Sequence, residues 1–195
     1  MNPTTVVLFG ASGVIGSRLA PLLVAAGHQV IGVTRSPGKV EALRDLGCQP
    51  AVCDVFDAAA VRTLLDGSGA TMVIDQLTDL PDAAADIPRS GGANARIRRE
   101  GTPIILAAAA AAGIDRYLAQ SVAWPLDGEG GAAAEARELA VLAAGGVVIR
   151  YGQFYGPGTY HPGAPPEPPR IQIDEAARRT MDVLDAPSGT VTIAE

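Results

Sequence analysis

Three glycines, Gly10, Gly13 and Gly16, are spaced G-x-x-G-x-x-G and carry the sharpest chemical information in the chain. They follow an apolar run over 6–9 and open a segment in which Ile15, Leu19, Leu22 and Leu23 recur at helical spacing. In such a strand–turn–helix unit one glycine makes the tight turn. Another lets the backbone approach a diphosphate, and the third allows close helix–strand packing. The start of the helix then offers unpaired amides and the positive end of its dipole to an anion. Gly10, Ser12, Gly13, Val14, Ile15 and Gly16 are therefore the candidate diphosphate contacts. A glycine-rich turn without a ligand is the plainer alternative, and the strand before it and helix after it weigh against that.

The end of the second apolar segment, 29–34, bears on which dinucleotide binds. A unit that prefers NAD usually carries Asp or Glu about 20 residues past the glycines, to bond the ribose 2′-hydroxyl. Here the residues are Thr34-Arg35-Ser36, followed by Lys39, with no carboxylate among them. Arg35 can fork onto a 2′-phosphate while Ser36 and Lys39 add donors, so NADP is expected over NAD. A solvated basic helix start is the competing account. After the third segment, Asp54 is placed to meet an adenine amino group and Val55 to pack on the ring.

These residues need a frame, and the pattern supplies one. Apolar strand-like runs at 6–9, 29–34, 49–52, 71–74, 116–120, 147–150 and 190–193 alternate with helical patterns at 37–46, 58–65, 93–112, 132–143 and 174–184. A loop over 79–92, in which Asp79 and Asp82 need no function, leads into the long fourth helix. Asp174 is the expected N-cap of the last helix. The stretch 162–169 is too proline-rich for either element. The expectation is a single compact α/β domain, a doubly wound parallel sheet of the Rossmann type covered on both faces. A net charge of −6 argues against nonspecific nucleic-acid binding, and no run is long enough to span a membrane. Cys48 and Cys53 lack metal-ligand partners nearby and read as reduced core thiols of a cytoplasmic protein.

Matching pieces run almost end to end. They include the three glycines, Asp54-Val55, Gly101-Thr102, Ala111-Ala112-Gly113, Gln120-Ser121, Arg150-Tyr151-Gly152 and Tyr155-Gly156-Pro157-Gly158. On these the chain resembles the short-chain dehydrogenase/reductase superfamily, in its extended branch of NAD-dependent epimerases and dehydratases. The resemblance implies that Gln76, Leu77 and Thr78 border the nicotinamide side and that Ser121, after Gln120, polarises the reacting oxygen. It also implies that Tyr151, Gly152, Gln153 and Phe154 line the nicotinamide pocket. Family members often dimerise through the helices after strands four and five. The alanine-rich faces at 107–112 and 132–144 permit that, and covering the sheet explains them equally well.

Two departures stand out. The family's chemistry rests on a tyrosine with a lysine four residues later, and this chain has a single lysine, Lys39, far from that helix. Setting Glu138-Leu139 on the family's helix puts Gly130 at the tyrosine's position and Ala134 at the lysine's. The second departure is the short substrate region, the loop over 159–171. Tyr155 and Tyr160 are alternative proton donors, His161 is a further candidate in a loop where a histidine is more often merely solvated, and Trp124 is placed to wall the pocket. Ser121 has no evident activating base, and neither metal-ligand spacing nor a G-x-S-x-G elbow occurs. The primary expectation is an NADPH-dependent oxidoreductase acting on a small carbonyl or related metabolite without the usual dyad, with Ser121 and Tyr155 as catalytic candidates. A non-redox isomerase, cyclase or dehydratase and a dinucleotide-sensing regulator are the alternatives.

Overall fold

The computed structural model of the chain describes residues 3–81 and 83–195, apart from the side chains at 88–90; Asp82 lies outside it. Strands β1 (Thr5–Phe9), β2 (Gln29–Thr34), β3 (Gln49–Val52), β4 (Met72–Asp75), β5 (Arg116–Val122) and β6 (Val147–Tyr151) alternate with helices. The helices are α1 (Gly16–Ala25), α2 (Val40–Asp45), α3 (Ala58–Asp66), α4 (Ile87–Arg96), α5 (Thr102–Ala111) and α6 (Gly128–Ala143). After β7 (Gln153–Tyr155) come β8 (Arg170–Gln172), α7 (Ile173–Asp182) and β9 (Gly189–Ile193). Seven strands form one parallel sheet in the order β3-β2-β1-β4-β5-β6-β9. The doubly wound architecture expected from the pattern is the one found.

Strand periodicity decides which helix layer each residue meets. Val6 and Leu8 of β1 face a core built with Leu19, Leu23, Leu43 and Ile173, beneath α1, α2 and α7. Their neighbours Val7 and Phe9 face a second core with Val61, Ile105 and Val141, beneath α3, α5 and α6. The alternation continues in β4 to β6, where Met72, Ile74, Leu118 and Ile149 take the first face and Val73, Tyr117, Ala119 and Val148 the second. Asp75, at the end of β4, thus falls on the α6 side, while Tyr151 falls on the α7 side.

Three local expectations are corrected. The loop placed over 79–92 is partly helical: a short 3-10 turn over Ala84–Asp86 leads directly into α4. The long helix expected over 93–112 is interrupted by a π-helical turn, Ile97–Gly101. Asp174 is not the N-cap of the last helix. Gln172 is, its side chain accepting from the amide of Glu175 at 2.8 Å. The small β7–β8 ribbon, Gln153 paired with Arg170 and Tyr155 with Gln172, was not legible in the sequence. It folds the proline-rich stretch back beside β6.

Candidate active site

A cleft of about 1010 Å³ runs across the carboxyl ends of β1 to β6. Its centre lies where β1 pairs with both β2 and β4, the point at which the strand order reverses and where open α/β sheets bind ligands.

Its first half is made of backbone. Gly10 ends β1 at φ +76°, and a Cβ there would lie 2.8 Å from the carbonyl oxygen of Gln76, so glycine is required on both counts. The amide of Gly13 closes the turn onto the carbonyl of Gly10 at 2.9 Å. A Cβ on Gly16 would run into that same carbonyl, which lets α1 approach the strand. No side chain caps α1, and its first turn holds no acidic residue. The amides of Ser12, Val14 and Ile15 donate to no backbone carbonyl among the described residues. This is an anion cradle left free at a helix start. Arg18, which the sequence reading missed, braces it: its guanidinium donates to the carbonyls of Val14 and Pro157 and pairs with Asp174 at 2.8 Å.

At the end of β2 the Ser12 hydroxyl meets the Thr34 hydroxyl at 3.2 Å, and the Ser36 amide donates to that same Thr34 oxygen. Lys39 is exposed beside them. Arg35 forks onto both carboxylate oxygens of Asp79, at 2.8 and 3.2 Å, and that pairing raises its pKa above the ordinary arginine value. Asp79 therefore has a partner that its loop position did not suggest. Asp54 caps its own turn, accepting from the Phe56 amide at 3.0 Å. Val55 is buried at the cleft wall, with its side chain against Gly101.

The second half is made of buried side chains. Asp75 and Arg137, both essentially without solvent contact, pair at 2.9 Å. Asp75 also accepts from the hydroxyls of Tyr117 at 2.9 Å and Thr102 at 3.3 Å, and from the Leu77 amide. Arg137 holds the carbonyls of Asp75 and Leu77, and Gln120 donates to the same Leu77 carbonyl at 3.2 Å. The segment 76–78, with Thr78 exposed at its end, is thereby tied to α6 and β5. Burial drives the Tyr117 phenol well above its usual pKa, so it stays a donor. Two signals in the sequence could have found this pair: an aspartate ending an apolar strand and an arginine in an alanine-rich helix.

Ser121, buried on the α6 side, donates to Glu138 at 2.5 Å, and Glu138 in turn receives both forks of Arg150. Burial by itself would raise the Glu138 carboxyl, but hydrogen bonds from Arg150 and Ser121 and the charges of Arg150 and Arg98 outweigh it. Glu138 is therefore held below the ordinary carboxylate range. A basic neighbour for Ser121 does exist, contrary to the sequence reading, but so stabilised a carboxylate is a weak base. The Ser121 proton is committed to it.

The tyrosines are also committed. Tyr151 packs in the core with its hydroxyl between Gln76 at 3.2 Å and Thr180 at 2.7 Å, and burial pushes its pKa up to about 12. Its hydroxyl serves the core and α7, while the residue also lines the cleft, as expected of it. Tyr155, expected as a catalytic residue, is not among the residues lining the cleft, and its hydroxyl faces the Glu195 carboxylate at 3.3 Å. Tyr160 donates to the Pro81 carbonyl. Gln153, Phe154, His161 and Trp124 line the cleft. The Gln76 Oε1 is buried and unpartnered among the described residues, a free acceptor at the cleft wall.

Residues 10–140 match the family described as NAD(P)H-binding, and the chain belongs to it. A Streptomyces protein described as 3-diazoavenalumate denitrifying reductase is 35% identical over 179 residues, covering 79% of this chain and 57% of that one. The match thus spans little more than half of that relative's length. Among solved structures, the UDP-glucose 4-epimerase of Thermotoga maritima superposes with a TM-score of 0.80 at 16% identity, over 97% of this chain and 76% of its own. The Bordetella bronchiseptica enzyme WbmH, solved with NAD+, gives 0.79 at 18% identity, over 98% and 75%. These likenesses show a shared fold, the doubly wound parallel sheet. The free amides at the start of α1 suit a diphosphate, and the unpartnered Gln76 acceptor suits an amide, so the residues present fit a nicotinamide dinucleotide.

Proposed function

We propose that this chain is an NADPH-dependent reductase that delivers hydride to a small electron-poor substrate without a tyrosine–lysine proton relay. The observation that carries the reading is the state of the candidate proton-donor hydroxyls: Ser121 donates to Glu138, Tyr151 and Tyr160 are engaged elsewhere, and Tyr155 lies outside the cleft. A site with a dinucleotide cradle in which Ser121 and the tyrosine hydroxyls are engaged favours chemistry that needs hydride alone. When bound, the cofactor supplies that hydride.

The chain's own residues bind and orient. Ser12 to Ile15 would hold the diphosphate, and Arg35, Ser36 and Lys39 would hold the 2′-phosphate, with Arg35 drawn from Asp79 or shared with it. The Asp75–Arg137 pair stiffens 76–78 against the nicotinamide side, and positioning is the larger part of such catalysis. The relative's description as a denitrifying reductase of a diazo compound supports an aryl diazonium as acceptor. Net, hydride and the diazonium give the arene and dinitrogen, the C–N bond being replaced by C–H with no proton taken up. The buried free thiols of Cys48 and Cys53 support a reducing, cytoplasmic setting. Among the described residues no helix is long and apolar enough to cross a membrane.

The test is to titrate NADPH and NADH by fluorescence, then follow NADPH oxidation with aryl diazonium salts, aldehydes, quinones and flavins. Tighter binding of NADPH and oxidation with the diazonium salt, releasing dinitrogen, is expected. Tight NADPH binding with no oxidation by any acceptor would instead indicate a sensor. Indifference to both coenzymes would indicate a non-redox protein.

A further inference from the structure

Arg98 has no part in the cofactor cradle, yet it lines the same cleft. It sits on the π-helical turn Ile97–Gly101, an irregularity that often marks a functional position because it re-aims side chains. Only 6% of the residue is exposed. Among the described residues its guanidinium makes one hydrogen bond, 3.2 Å to the carbonyl of Gly130, and no carboxylate lies within ion-pair distance. Glu138 is close enough to be felt electrostatically, but Arg150 and Ser121 occupy its oxygens.

A guanidinium carries five N–H donors and keeps its charge near neutral pH, so burying it beside a single neutral acceptor is costly. Desolvation first, and the nearby charge of Arg137 second, bring its pKa down to about 10, which still leaves it cationic at pH 7. The space beside Gly130, whose carbonyl Arg98 holds, is open: a Cβ built there would meet nothing within 4 Å. The relay tyrosine of the family would stand there. In this chain a buried cation faces room instead, with half-buried Trp124 and Leu126 as apolar walls of the cleft.

We propose that Arg98 is the docking point for a carboxylate on the substrate, seated in the space beside Gly130 with its apolar body against Trp124 and Leu126. This deepens the reductase reading and rests on it for the name "substrate". A carboxylate would accept the unused donors of the guanidinium as a charge-assisted fork, the strongest hydrogen-bonding arrangement open to arginine. The residue selects anionic substrates and takes no part in hydride transfer.

The test uses the full-length protein saturated with NADP+ and two probes of one shape, trans-cinnamate and trans-cinnamamide, with binding measured by calorimetry. Cinnamate is expected to bind about tenfold or more tightly than the amide, the scale of a charged hydrogen-bonded pair. Arg98→Met, close in volume, should abolish that preference, and Arg98→Lys should keep part of it because the charge survives without the fork. NADPH affinity, read by fluorescence, reports whether the cleft is intact in each variant. Should Arg98→Met fail to fold, the wild-type preference and its reduction in Arg98→Lys still decide the matter. Equal binding of the two probes, binding of neither at millimolar concentration, or a preference that survives Arg98→Met overturns the proposal. Because this readout is binding, lack of NADPH oxidation would remove the reductase reading and leave carboxylate docking standing.

Discussion

The two ends of the cleft are built by different means. The end expected to hold the adenosine and diphosphate is made of main chain and short turns from β1 to β3, and its backbone amides make local contacts: the Gly13 amide to Gly10, the Ser36 amide to Thr34, the Phe56 amide to Asp54. The end expected to face the nicotinamide is made of side chains brought together from distant parts of the chain: Asp75 with Arg137, Thr102 and Tyr117, and Ser121 with Glu138 and Arg150. A diphosphate is recognised by backbone amides that any sequence of the right shape supplies. Holding a reacting group in place calls for buried, directional charge, which only packing can assemble. The first half can therefore persist while the second changes its chemistry.

The largest expected effect tests the second half. Arg137→Leu leaves the Asp75 carboxylate buried and unpaired, and should cost about 3–5 kcal/mol in urea unfolding. Combining it with Asp75→Asn should recover part of that loss, because the stranded charge is gone. A loss below about 1 kcal/mol would mean that the network does not hold 76–78 in place.

Next, Arg35→Asp should weaken NADPH by about tenfold or more and NADH far less, measured by fluorescence titration. Asp79→Asn should act oppositely, freeing Arg35 for the 2′-phosphate. Equal losses for both coenzymes in Arg35→Asp would detach the arginine from cofactor choice.

The smallest effect concerns pH. The folded-state pKa of Glu138 is depressed, so its contribution is present above the ordinary carboxylate value and is lost as pH falls through the folded one. Arg150 is about half exposed, which keeps that contribution within about 1 kcal/mol. Glu138→Gln should make urea midpoints at pH 7 and pH 3 differ slightly less than in the wild type. An unchanged difference would assign the acid sensitivity to other carboxylates.

How much could be read beforehand follows the same division. The strands and the glycine turn were legible because their signals, period-two apolar runs and glycines at fixed offsets, lie within a dozen residues. The early start of α4 was hidden by a segment rich in Pro and Gly, and the β7–β8 ribbon by strands of three residues each. Arg98 and Arg137 look like surface charges in a linear reading. Both are buried because a π turn and a close helix contact turn them inward. Tyr155 shows the converse, a suggestive residue that the ribbon points at Glu195 and away from the cleft.

By itself, the order of residues determined a doubly wound sheet with a glycine turn opening its first helix, since backbone geometry and local periodicity are written in neighbouring positions. Tertiary structure alone decided which charges are buried, which hydroxyls are spoken for and where a cation meets open space. Those depend on contacts between residues far apart in the chain, 62 positions for Arg137 and Asp75 and 79 for Tyr160 and Pro81, and on the low dielectric that only a packed interior provides.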